Sequence, residues 1–82
     1  MACELVWTNT FVHTARKFLK RHPELAGILE DILTELAEDP QHPRLHLHRL
    51  KGAHRDKHAV RLTYSERIVL ILRVETREIV LL

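Results

Sequence analysis

Five histidines, at positions 42, 46, 48, 54 and 58, share residues 41–82 of this 82-residue chain with nine arginines and lysines. From Leu45 onward the sequence reads LHLHRLKGAHRDKHAVRLTYSERIVLILRVETREIVLL, with basic and imidazole side chains interleaved among apolar ones. Imidazole exchanges protons near neutral pH, and guanidinium grips phosphate through two parallel hydrogen bonds. Only four acidic residues accompany the nine basic ones, giving this half a formal +5, whereas residues 1–40 hold four basic and seven acidic side chains, −3. The net +2 conceals a polarised chain whose basic half suits a polyphosphate, because phosphate contacts dominate affinity for nucleic acid. The histidines also invite a metal reading, with His46 and His48 on one strand face and His54 and His58 at ligand-like spacing. No cysteine pair or dense carboxylate set accompanies them, which argues against a functional zinc site. Neither a metal nor another cofactor is expected.

Strands must hold these residues. From Leu45 the apolar period is 2, which predicts strands at about 45–50, 57–64, 67–74 and 77–82. The turns between them fall at Lys51–Asp56 around Gly52, at Tyr64–Arg67 and at Glu75–Arg77, giving an antiparallel meander. Ile68 to Leu72 is apolar on both faces, so one face should carry helices and the other be partly covered. Glu78–Leu82 is expected to leave an apolar edge that a partner polypeptide, a symmetry mate or a missing segment would cover.

Upstream, Cys3, Leu5 and Trp7 alternate as a first strand at about 3–8, with Trp7 placed in the core. Thr8, Asn9 and Thr10 offer cap oxygens for a helix in which Phe11, Ala15, Phe18 and Leu19 recur, ending near Arg21. Pro23 and Glu24 open a second helix with the stripe Leu25, Ile28, Leu29, Ile32, Leu33 and Leu36. Pro40 and Pro43 stop it and make residues 39–44 an extended connector. The resulting fold class is α+β in the order β-α-α-β-β-β-β, one domain over residues 1–82.

Composition narrows the function classes. The lone Cys3 excludes an intramolecular disulfide, and no charged-then-apolar leader opens the chain, so a reducing cytoplasm is expected. The longest apolar run, Ile68–Leu72, is far short of the roughly 20 residues that span a bilayer. A soluble chain with no membrane partner is expected.

The element order, the helix ending in Glu38-Asp39-Pro40, the His48-Arg49-Leu50-Lys51-Gly52 segment and the hairpin from Arg61-Leu62-Thr63 to Arg67-Ile68-Val69 resemble the RelE/ParE superfamily. These are toxins of bacterial type II toxin-antitoxin systems, and the similarity, over the whole chain, is to the RelE/YoeB/YafQ-like mRNA interferase branch. The resemblance implies a RelE-like microbial RNase fold and a metal-independent, ribosome-dependent mRNA endoribonuclease that inhibits translation. Its partners would be a cognate antitoxin, the ribosome and mRNA. His48 would take the proton of the 2′-hydroxyl, and Arg61 would clamp the scissile phosphate, with Arg73 as a second candidate. Arg49, Lys51, His54, Arg55, Lys57, His58 and Arg67 would hold the RNA backbone.

The pattern departs from the family in its acids. A YoeB-like glutamate would fall near Arg44 and a YafQ-like aspartate on Ala59. The segment bearing a His or Tyr that usually follows the strand matching Ile79–Leu82 has no counterpart here. The acid for the leaving group is therefore open, with His54 and His58 as options. A ParE-like gyrase poison or a degenerate, non-catalytic homologue are the alternatives, and the arginines also suit plain surface charges that discourage aggregation.

Overall fold

The computed structural model describes residues 2–82. Strand β1 (Glu4–Trp7) leads into α1 (Asn9–Arg21), and a 3-10 turn at Pro23–Leu25 opens α2 (Ala26–Glu38). A second 3-10 turn, Pro43–Leu45, precedes β2 (His48–Arg49), β3 (His58–Arg61), β4 (Arg67–Arg73) and β5 (Glu78–Leu81). The order β-α-α-β-β-β-β is as read from the sequence, and the sheet runs β1-β5-β4-β3-β2.

Thr8 joins the first strand to the first helix. Its backbone is extended, its Oγ1 accepts the Phe11 amide at 3.1 Å, and its hydroxyl donates to the Leu81 carbonyl at 2.7 Å. One side chain thus caps α1 and ties that cap to β5. Lys20 and Arg21 in the last turn complement the helix dipole. In α2, Leu29, Ile32, Leu33 and Leu36 are buried and meet Phe11, Leu45, Val60, Ile68, Leu70, Ile79 and Leu81 in one core. This core lies on one face of the sheet, between strands and helices.

Four expectations need correction here. The C-terminal strand is not an edge: β5 pairs antiparallel with β4 and parallel with β1, Glu4 opposite Glu78 and Trp7 opposite Leu81. The intervening helices carry the chain back so that β1 can lie parallel, which covers the edge from within. Trp7, placed in the core by its alternation, is 52% exposed because β1 is itself an outer strand, and its ring rests on Phe11 at 5.5 Å between centroids. Ile28 likewise stands 43% exposed in the first turn of α2. The strand predicted over 45–50 shrinks to His48–Arg49, since Leu45 closes a 3-10 turn and His46 is left-handed.

Leu36 has no exposed surface. Leu36→Ala should cost about 2–5 kcal/mol, read as a lower urea midpoint, whereas Ile28→Ala should stay within about 1 kcal/mol. Equal effects of the two would contradict this placement of the core.

Candidate functional site

The site is built on the face of the sheet that the helices leave open. In β3 and β4, Arg61 stands directly opposite Arg67, and two residues further along β3, Ala59 pairs with Val69 on one side and His48 on the other. Alternation puts His48, Ala59, Arg61, Arg67 and Val69 on one face, opposite the buried Val60, Ile68 and Leu70. The row through His48 and the row through Arg61 and Arg67 are about 7 Å apart along the strands. Ala59 in the row of His48 has no exposed surface.

The five-residue turn Leu62–Glu66 aligns the two arginines. Amides of Leu62 and Thr63 donate to the Glu66 carbonyl at 2.9 and 3.1 Å, and the Glu66 amide donates to Thr63 Oγ1 at 3.1 Å. Tyr64 stands at the tip, 98% exposed. Two like charges directly across an antiparallel pair repel. Neither guanidinium has an acidic partner within 4 Å among the described residues. An unneutralised pair of this kind is a ready anion site.

His46, His48, Arg61, Thr63, Glu66 and Arg67 border one concavity of about 460 Å³. A second, of about 340 Å³, adjoins it through the shared His48 and Arg67 and is lined by Arg49, Leu50, Lys51 and His54. The Nδ1–H of His48 donates to the His46 carbonyl at 2.8 Å. Glu66, the one carboxylate on these walls, received no role from the sequence. Its signal was its place in the turn, immediately before Arg67, where the hairpin returns it beside Arg61.

Not every residue singled out in the sequence converges. Lys57 is engaged by Asp56 at 3.4 Å, and Arg55 lies exposed in the turn between β2 and β3, outside both concavities. Arg73 sits at the far end of β4, about 20 Å from Arg67, beside a small hollow lined by Cys3, Asp39 and Arg77. Directly across from it is Glu78, itself opposite Glu4, so acidic residues balance that corner. His46 and His48 do not share a strand face, because the strand begins only at His48. Among the described residues no three His, Cys, Asp or Glu side chains gather as a metal site.

His58 pairs with Arg49 on the helix-facing side, half-buried, with Nδ1 lacking a hydrogen-bond partner. Burial holds its imidazole below the ordinary 6.5, and the charges of Arg49 and His48 push the same way. The unfolded chain therefore binds the proton first as pH falls, and stability present above about pH 6.5 is lost through the window beneath it. Thermal melts between pH 7.5 and 5 should show this loss, and His58→Gln should flatten the slope. A His58 resonance titrating at or above 6.5 would refute it.

No protein-family model matches the sequence, and no curated protein matches it. In structure the chain is similar to a YoeB/ParE toxin from Agrobacterium tumefaciens, with a TM-score of 0.76 and 16% identity over 96% of this chain and 92% of that one. It is similar to a copper-bound mutant toxin from Helicobacter pylori, with a TM-score of 0.76 and 20% identity over 98% of this chain and 89% of the other. A YoeB-YefM toxin-antitoxin heterotetramer from Staphylococcus aureus superimposes with a TM-score of 0.73 at 10% identity, covering 99% and 92%. With its first strand parallel to its last and two helices packed on one face of the sheet, the chain has the fold of the YoeB/ParE toxin.

Proposed function

We propose that this protein is the toxin of a bacterial toxin-antitoxin pair and that it inhibits translation by cutting mRNA on the ribosome. The observation that carries this reading is the facing pair Arg61 and Arg67 beside His48 and Glu66 on the open face. It is supported by the fold shared with YoeB/ParE toxins. RNA scission needs a base for the 2′-hydroxyl proton, cations for the charge gathering on phosphorus, and an acid for the departing 5′-oxygen. His48 Nε2 takes the proton, the 2′-oxygen attacks the adjacent phosphorus, and the guanidiniums of Arg61 and Arg67 hold the non-bridging oxygens. The departing 5′-oxygen takes its proton from the imidazolium formed at His48 or from water, since a carboxylate such as Glu66 on the same wall has none to give. Imidazole and guanidinium supply the base and the cations of these steps from the chain itself. Lys51 and His54 extend the positive surface for the flanking backbone, whereas Arg49 shares the helix-facing side with His58.

The partner is an antitoxin, as YefM is for the YoeB toxin of Staphylococcus aureus. A groove of about 780 Å³ between β1, α1 and α2, lined by Leu5, Trp7, Val12, Leu19, Leu33 and Ala37, fits the apolar side of a segment that orders on binding. Trp7→Asp should weaken capture of the antitoxin at least about tenfold while leaving translational arrest intact. Unchanged affinity in a pull-down titration would move the antitoxin off this groove.

The activity is tested by mixing purified protein with ribosomes paused on a defined mRNA and mapping new 3′ ends. Cleavage within the A-site codon should appear and fall about 10²–10³-fold in Arg61→Ala and in His48→Ala. Full activity in both variants would eliminate the site, and absence of cleavage by the unaltered protein would eliminate the reaction.

A further inference from the structure

His46 and Arg77 are the two non-glycine residues with positive φ among the described residues, and only His46 adjoins the site. Its φ of 51° and ψ of 46° place it in the left-handed region, where few side chains settle without a reason. The reason is visible in its neighbours. Leu45 before it has no exposed surface and Leu47 after it packs against the core, so both flanks are pinned and His46 absorbs the change of direction. Its amide donates to the Pro43 carbonyl at 3.2 Å, ending the 3-10 turn, while its own carbonyl accepts the His48 Nδ1–H at 2.8 Å.

That hydrogen bond has one possible direction. A carbonyl only accepts, so in the neutral ring the proton resides on Nδ1 and Nε2 keeps its lone pair. Where the carbonyl points depends on ψ of His46, and an extended backbone at this position would swing it away from the ring. We propose that His46 is a positioning residue whose left-handed backbone aims its carbonyl at His48, fixing the tautomer that leaves Nε2 free for proton abstraction. The backbone conformation performs this task, and the imidazole of His46 is dispensable to it. The inference rests on the role given to His48 above, but the tautomer is a property of the free chain and is measured without RNA or ribosomes.

The test is multiple-bond ¹H–¹⁵N correlation spectroscopy of the full, isotope-labelled chain at alkaline pH, where imidazoles are neutral. In the unaltered protein, the pyridine-type nitrogen shift should fall on Nε2 of His48 and the pyrrole-type shift on Nδ1. Glycine and asparagine accept the left-handed conformation, so His46→Gly and His46→Asn should keep that pattern. A β-branched side chain resists it, so His46→Val should shift the two nitrogens toward each other, as in a water-exposed mixture of tautomers. An Nε2–H tautomer in the unaltered chain would overturn the proposal whether or not the valine variant folds. So would loss of the pattern in both the glycine and asparagine variants, which would assign the effect to the imidazole of His46. If mRNA cleavage failed while the tautomer pattern held, only the enzymatic reading would fall.

Discussion

The register between β3 and β4 is the constraint on which the rest of the molecule depends. With Val60 opposite Ile68 and Arg61 opposite Arg67, one face of the hairpin enters the core and the other presents two guanidiniums side by side. A slip of one residue would exchange the faces, driving arginine against Leu36 and Leu45 and leaving Val60 in water. The turn between the strands does not impose this pairing by its own chemistry, since Leu62–Glu66 contains neither Gly nor Pro. Burial of Val60, Ile68 and Leu70 does, and repulsion between the arginines is tolerated because the core outweighs it.

Much of this was legible in the sequence where periodicity carried it. Leu29, Ile32, Leu33 and Leu36 follow a helical repeat and are buried, and the alternation of Val60, Ile68 and Leu70 is the sheet's inner face. What the sequence hid was longer in range. Nothing local in Glu4–Trp7 announces that it will lie parallel to Glu78–Leu81, more than seventy residues away, so β5 read as an open edge and Trp7 as core. Both errors share this cause, because the strand that covers β5 is the strand that exposes Trp7.

The site was legible in part for the same reason. His48 and Arg61 lie close because two short strands pair, which period-2 reasoning reaches. Arg73 was a second candidate for the scissile phosphate because it lies on the strand next to Arg61, yet six residues of extended chain separate it from Arg67, which faces Arg61, and Glu78 faces it. Glu66 and His46 escaped because each depends on backbone outside a strand: one on a turn closed by Thr63, the other on a left-handed residue between two pinned leucines. Alternation says nothing about such positions.

Charge is distributed to match this division of faces. Acidic Glu30, Asp31, Glu35 and Glu38 lie on α2, behind the sheet, and Glu35 engages His42 and Arg44 at 3.8 and 3.9 Å. The basic residues of the connector nearest the acidic helix are thereby partly neutralised, whereas Arg61 and Arg67 at the hairpin are not. Long-range attraction for a polyanion is therefore strongest at the hairpin end of the open face and weakens toward the Glu4 and Glu78 corner. On the proposed reading, a phosphate of an RNA strand laid across this face sits between the two arginines, with the row of His48 about 7 Å away along the strands.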